Sequence, residues 1–224
     1  MIELDHVTVR FQDRIILDDI SISLTEHRIG VIGDNGSGKS TFARLLNGLL
    51  LPDQGDVTVN DFDTRADGKM VRSQVGFLFQ NPDNQIVMPT VAEDLALGLK
   101  PLNLSKDEQA HRVTDVLERF ALAHLVDRSA HLLSGGEKQL VALAGVMVTE
   151  PDILICDEPT TLLDRRNATH VMRLIADLPC QVIVVTHHVE HLNDFDRVLV
   201  IGNGRVSHDG PPQDTIPQYL ETLA

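Results

Sequence analysis

Apolar residues in this chain follow two spacings, and the change from one to the other outlines its elements. Alternation marks strands. Ile2, Leu4, Val7 and Val9 stand in a polar background and predict an early strand or strand pair. Ile20, Ile22 and Leu24 alternate with Ser21 and Ser23, and Val57 and Val59 repeat the pattern briefly. Unbroken apolar runs predict buried strands at 28–32, 75–79, 153–157 and 181–185. Val198 to Ile201, the Gly202-Asn203-Gly204 turn and Arg205-Val206-Ser207 predict a closing hairpin.

Helical spacing appears elsewhere. Residues 41–50 predict a helix with Phe42, Leu45, Leu46 and Leu49 on one face, stopped by Leu51-Pro52-Asp53-Gln54-Gly55. Val91, Leu95 and Leu99 open a helical stretch that runs to about Ala130. Within it Ser105 and Glu108 form a capping box ahead of Ala110, Val113, Val116, Leu117 and Phe120. This stretch reads as a helical subdomain inserted into an α/β body. Ser134 and Glu137 form a second capping box before Leu140, Val141, Leu143, Ala144 and Met147, with Gly135 and Gly136 in the first turn. Glycine is a poor helix former, so two at a helix start make sense if something must approach that end closely, and helix N-termini attract anions.

The strand at 28–32 runs into Gly33-Asp34-Asn35-Gly36-Ser37-Gly38-Lys39-Ser40, followed by Thr41 and a helix. This fits the phosphate-loop pattern G-x-x-x-x-G-K-[ST] in its required strand–loop–helix context. Glycines let the main chain close around a phosphate, and the helix N-terminus adds partial positive charge. Lys39 can reach the β- and γ-phosphates, and the Ser40 hydroxyl can sit on Mg²⁺. An ordinary glycine-rich turn would need none of the Lys-Ser pair.

A second chemical site ends the strand at 153–157, where Asp157 and Glu158 are adjacent. Alternation sends the two carboxylates in different directions. Asp157 can bind Mg²⁺ and Glu158 can orient or deprotonate water at a γ-phosphate. The polar loop Gln80-Asn81-Pro82-Asp83-Asn84-Gln85 follows a buried strand abruptly. It is either a plain turn or a sensor whose Gln80 amide reaches metal or water. His187 comes off another buried strand. His187-x-x-Glu190-His191 also fits a zinc-protease pattern, but that pattern needs both histidines on one helix and a third ligand. A polar strand tip near the γ-phosphate is the better reading. On position alone, Phe11 reads as a core residue before an aromatic platform for a base.

Composition narrows the partners. The 224 residues include 33 acidic and 19 basic side chains, for a net charge of −14, while 42% are hydrophobic. There is enough apolar material for one large domain. The acidity argues against nucleic acid and against adsorption to anionic lipid, and leaves docking on a basic cytoplasmic face. No apolar run approaches the ~20 residues of a membrane helix, and Met1-Ile2-Glu3-Leu4-Asp5 does not resemble a signal peptide, so a soluble cytosolic protein is expected. Cys156 and Cys180 read as packed small residues, not a bridge or metal pair.

Taken together, Phe11, Gly33 to Thr41, Gln80, Leu133 to Gly136, Ile153 to Glu158, Asp164 and His187 resemble an ABC-type ATPase domain over essentially the whole chain. The Leu-Ser-Gly-Gly motif is the specific part. The resemblance implies a P-loop NTPase (RecA-like) α/β core with an N-terminal antiparallel β subdomain and an inserted α-helical subdomain. A single domain then spans 1–224, with the insertion at 83–137 ending in the signature. It implies that Phe11 stacks on adenine, reversing the core reading. Asn35, Gly36, Ser37, Gly38, Lys39, Ser40 and Thr41 would hold the ATP phosphates. Ser40, Gln80 and Asp157 would hold Mg²⁺, and Glu158, His187 and Gln80 would act in catalysis. Two chains would meet head to tail, so that Ser134, Gly135, Gly136 and Asp164 of one close on ATP held by the other. The complete motif set points to a homodimer and leaves a heterodimer open.

A narrower resemblance lies in Phe79-Gln80-Asn81-Pro82-Asp83-Asn84-Gln85-Ile86-Val87, which is similar to the ATPases of energy-coupling factor (ECF) importers of vitamins and transition-metal ions. That family implies a transmembrane scaffold protein docked beside this loop, a separate substrate-capture membrane protein, and a place on the cytoplasmic face of the membrane. Residues 85–89 and 29–33 look most like the biotin branch. The chain departs from the usual pattern at Glu137, Leu140, Leu162 and Arg165, none of which is a phosphate or metal group. A second reading, a non-transport ABC ATPase acting on nucleic acid or ribosomes, is opposed by the charge and by the lack of long insertions.

Overall fold

A computed structural model describes residues 1–223; Ala224, the last residue of the expected domain, lies outside the described residues. The chain opens with β1 (Ile2–Phe11) and β2 (Arg14–Leu24), an antiparallel pair. β3 (Arg28–Ile32) leads through the glycine loop into α1 (Lys39–Leu45). β4 (Gln54–Val59) and β5 (Phe62–Asp63) return to β1 and complete a four-stranded antiparallel sheet in the order β2-β1-β4-β5. After α2 (Gly68–Gln74) and β6 (Val75–Leu78) come three helices, α3 (Val91–Leu99), α4 (Lys106–Arg119) and α5 (Gly135–Met147). Then follow β7 (Ile153–Asp157), α6 (Arg165–Ala176), β8 (Gln181–Val185), the hairpin β9 (Arg197–Gly202) and β10 (Arg205–Gly210), and α7 (Pro212–Thr222). The second sheet has the order β10-β9-β3-β8-β7-β6, parallel throughout except for β10.

Alternation along the parallel strands divides the core. Ile29, Val31, Ile153, Ile155, Ile183 and Val185 face the antiparallel sheet and α1. Leu154, Cys156, Val182 and Val184 face the other way and join the apolar residues of α3 to α7. Both faces are covered, which is why these strands read as unbroken apolar runs. The residues expected as an inserted helical stretch carry α3, α4 and short 3₁₀ turns, and their apolar side chains are continuous with this second core. Both predicted capping boxes are present, Ser105 with Glu108 and Ser134 with Glu137, and Thr90 with Glu93 forms a third.

Two expectations are corrected. The first helix ends at Leu45, not near Leu50, because the chain turns at Gly48 with φ +67°; Leu49 therefore lies outside the helix and is 47% exposed. Phe11 is not a core residue. It sits at the tip of the β1–β2 hairpin, opposite Arg14, with 69% of its surface exposed. Helices α2, α6 and α7 are additional to the expected elements. Cys156 and Cys180 are buried and unbridged. Among the described residues, no helix is long and apolar enough to cross a membrane.

Candidate functional site

The carboxyl ends of neighbouring strands β3, β8, β7 and β6 meet at one edge of the parallel sheet, where open α/β sheets bind ligands. A cavity of about 530 Å³ lies there. Asn35, Gly36, Gly38 and Lys39 to Thr41 form one wall; Gln80, Glu158, Thr161 and His187 form the other, and Ile16 of β2 closes one side. Four strand ends thus bring together the expected loop, metal and catalytic groups except Ser37 and Asp157, which do not line the cavity; Asp157 is joined to it through Ser40. Gly38 enters α1 with φ +106°, and a Cβ on it would lie 2.9 Å from the Ile16 carbonyl, so no larger residue fits this turn.

Lys39 is buried, and its Nζ donates to the carbonyls of Gly33 (2.8 Å) and Asp34 (2.9 Å). Burial lowers the pKa of its ammonium, opposed by the charges of Glu158, Asp34 and Asp157. Ser37 Oγ is buried in the loop without a hydrogen-bond partner. Ser37 borders the adjoining hollow with Asp34 and Gly202 to Gly204 and does not line this cavity, so the side-chain donor placed there for a phosphate is the Lys39 ammonium.

The Ser40 hydroxyl donates to Asp157 Oδ1 at 2.9 Å, joining α1 to the end of β7. Burial raises the Asp157 carboxyl above its ordinary value, and the Ser40 bond opposes that shift. One hydroxyl and one carboxylate suit Mg²⁺, which keeps much of its shell as water and substrate phosphate. They do not suit zinc. Among the described residues no group of three or more His, Cys, Asp or Glu is placed to hold a metal ion. The segment carrying Glu190 and His191 is a three-residue 3₁₀ turn, not a helix, which removes the zinc-protease alternative.

Glu158 departs from strand geometry. Its φ is +53°, while its N–H still bonds the Val185 carbonyl at 2.9 Å. The left-handed residue turns the carboxylate into the cavity, away from Asp157. Glu158 Oε2 accepts a hydrogen bond from Thr161 Oγ1 at 2.9 Å and lies 2.8 Å from His187 Nδ1. The carboxylate is nearly buried, the imidazole half-exposed, and the His187 ring stacks on His188 with centroids 4.1 Å apart. A carboxylate fixed on two sides beside a phosphate loop can orient water and take its proton.

Ser134, Gly135, Gly136 and Asp164 do not line this cavity. Ser134 caps α5, and its hydroxyl donates to Glu137 Oε2 at 2.6 Å. A Cβ on Gly136 would come within 3.0 Å of the Asn167 side chain, whereas a Cβ on Gly135 would meet nothing. Asp164 caps α6, accepting from the Asn167 main-chain N–H at 2.9 Å and from its side-chain amide at 3.0 Å. The signature tip and the Asp164 cap are therefore neighbours on one surface, apart from the phosphate loop of their own chain. Phe11, the expected adenine platform, also lies outside the cavity lining, although Ile16 of the adjoining strand reaches it.

Sequence reasoning missed Thr161 and Ile16. Thr161 follows the Asp157-Glu158 pair by a turn and carries no motif of its own. Ile16 reaches the site only because β2 runs beside the loop.

Residues 17–161 match the family model described as ABC transporter. A putative ABC transporter ATP-binding protein of Bartonella quintana is 52% identical over 224 residues, covering 100% of this chain and 99% of the relative. The biotin transport ATP-binding protein BioM of Rhizobium etli is 50% identical over 223 residues, covering 100% and 99%. The energy-coupling factor transporter ATP-binding protein EcfA1 of Listeria monocytogenes is 39% identical, covering 97% and 81%. Among solved structures, cbiO1 from Clostridium perfringens, described as part of the ABC transporter complex cbiONQ, superposes with a TM-score of 0.87 at 32% identity, covering 99% of this chain and 92% of that one.

Proposed function

This chain belongs to the ABC transporter family, and from that premise we propose that it is the ATP-hydrolysing subunit of an ECF-type importer, with biotin as cargo. The observation that carries the ATPase reading is the meeting of Lys39, Ser40 and Glu158 on one cavity, with Asp157 hydrogen-bonded to Ser40 at its edge. The importer reading is supported by the names of the relatives that match the full chain, BioM and EcfA1, and by the 79–87 loop. The biotin assignment is supported by BioM and by the likeness of residues 85–89 and 29–33 to the biotin branch.

In the proposed site, the main-chain amides of 35–39 and the Lys39 ammonium bind the phosphates of ATP. Ser40, Asp157 and Gln80 would hold Mg²⁺, which when bound would supply neutralisation of the phosphate charge. Glu158, held by Thr161 and His187, orients the attacking water and accepts its proton. His187 is placed to contact the γ-phosphate and Phe11 to stack on adenine, its exposed ring being free to do so.

Ser134, Gly135, Gly136 and Asp164 act on the nucleotide of a second ATPase subunit. The open space at Gly135 supports this: the missing Cβ serves no contact within its own chain. The subunits thus form a homodimer or a heterodimer with a related ATPase, closed by ATP and released by hydrolysis. Residues 83–137 act as the inserted unit that carries the signature. A hollow of about 430 Å³ bounded by Ile86, Val87, Met88, Pro89 and His131 supports docking of a transmembrane scaffold, with a substrate-capture protein beside it. The protein then works at the cytoplasmic face of the membrane and needs no nucleic acid.

The test is uptake of labelled biotin by cells expressing this chain with its membrane partners. Uptake that is lost on Lys39→Ala supports the proposal. Uptake of another vitamin or metal ion that follows Lys39 changes the cargo, and the absence of any Lys39-dependent uptake removes the importer reading.

A further inference from the structure

The phosphate loop touches the far end of the chain. Tyr219 of α7 is buried, and its hydroxyl donates to Asp34 Oδ1 at 3.2 Å, across 185 positions of sequence. Asp34 is the second residue of the loop. Its carbonyl accepts from both Lys39 Nζ (2.9 Å) and Ser37 N–H (3.1 Å), so its position sets that of the main anion-binding groups.

A carboxylate in this place is a liability. The loop must take a polyanion, and a like charge on it disfavours binding. Yet Asp34 does not line the 530 Å³ cavity. It lines a neighbouring hollow with Ile15 and Gly202 to Gly204, which shares Ile16, Asn35 and Gly36 with the cavity but neither Glu158 nor Gln80. The Tyr219 hydroxyl is what its carboxylate meets on that side.

We propose that Tyr219 is a positioning residue for ATP binding, tethering the Asp34 carboxylate to α7 and out of the phosphate cavity, so that the C-terminal helix registers nucleotide at the loop. Burial and the nearby Asp34 charge both raise the phenol above its ordinary value, as a donor held against a carboxylate requires. Without the hydroxyl, the Asp34 side chain is free to swing toward Lys39 and compete with phosphate. The inference rests on the assignment of Gly33 to Thr41 as an ATP loop.

The chain has one tyrosine and no tryptophan, so its intrinsic fluorescence and its phenol absorbance report on Tyr219 alone. In the full chain, Tyr219→Phe is expected to raise the KM for ATP about three- to tenfold, within the range of an ordinary intramolecular hydrogen bond, with kcat unchanged. In an Asp34→Asn background the same substitution is expected to leave KM unaltered. An unchanged KM, or an equal rise in both backgrounds, overturns the proposal, since a role in α7 packing alone would not depend on Asp34. Should Tyr219→Phe fail to fold, Asp34→Asn alone decides. It is expected to brighten the tyrosine emission, lower the pH of phenol ionisation and abolish the emission change on adding Mg·ATP. Identical emission and titration in the two proteins overturn the proposal. This readout needs no turnover, so a chain that never hydrolyses ATP would refute the ATPase reading without deciding the role of Tyr219.

Discussion

Glu158 Oε2 lies 2.8 Å from His187 Nδ1, and the two residues come from adjacent strand ends 29 positions apart. The left-handed backbone of Glu158 makes the meeting possible, since strand geometry would have pointed its side chain elsewhere. The pair defines the reactive side of the cavity and gives the first prediction. Glu158→Gln keeps the shape and the Thr161 contact but cannot take a proton. Its kcat should fall about 10²- to 10⁴-fold, the usual worth of a general base, while ATP still binds. Steady-state turnover with equilibrium nucleotide binding checks both halves.

Ser40 and Asp157 give the second. Their 2.9 Å hydrogen bond presents one hydroxyl and one carboxylate to a cation, and among the described residues no group of three or more His, Cys, Asp or Glu is placed to hold one. Asp157→Asn should raise the Mg²⁺ concentration needed for half-maximal turnover by about tenfold or more, since Mg²⁺ sites lean on one or two carboxylates. Chelation should stop turnover in the unaltered chain, and Mg²⁺ should restore it. Restoration by Zn²⁺ alone would contradict the donor set.

The two signature glycines separate folding from function. Gly135→Ala adds a methyl group where this chain has only open space. Alanine is the better helix residue by up to about 1 kcal/mol, so the variant should be as stable as the parent or slightly more so. It should nonetheless lose most ATPase activity, because the methyl occupies the approach to a partner's nucleotide. Gly136→Ala must displace the Asn167 side chain and should lose stability as well. Thermal melts and turnover on the two variants distinguish the effects.

Arg28 gives a prediction about the scaffold alone. Its guanidinium donates to the carbonyls of Ala176, Leu178 and Cys180, and its N–H to Asp196, pinning the start of β3 to the end of α6. Arg28→Met should cost about 2–4 kcal/mol by leaving those carbonyls unpaired. Urea denaturation should show the loss, with the ATP affinity of the folded fraction kept.

What was legible in the sequence follows from range. The phosphate loop, the buried strands and both capping boxes are contiguous patterns whose chemistry is local, and each lies where its residues predict. Glu158 and Asp157 were legible as a pair, but the left-handed turn that separates them was not, because glutamate gives no sign of positive φ. Helix α6 was equally legible, though missing from the expected elements, since Ala168, Val171, Met172 and Ile175 stand at i, i+3, i+4 and i+7 behind the Asp164 cap. The reading of Phe11 changed only through a family resemblance, since an aromatic at a hairpin tip has no signature of its own. Tyr219 with Asp34 and Arg28 with α6 are pairings across more than 140 positions, invisible to any local pattern.

The account depends most on a nucleotide shared between two copies, and sedimentation of Glu158→Gln tests it most directly. The variant should sediment as a monomer alone and as a dimer with Mg·ATP, and Ser134→Arg added to it should abolish the dimer without abolishing ATP binding to the loop. A Glu158→Gln chain that binds one ATP and remains monomeric at every protein concentration would contradict it.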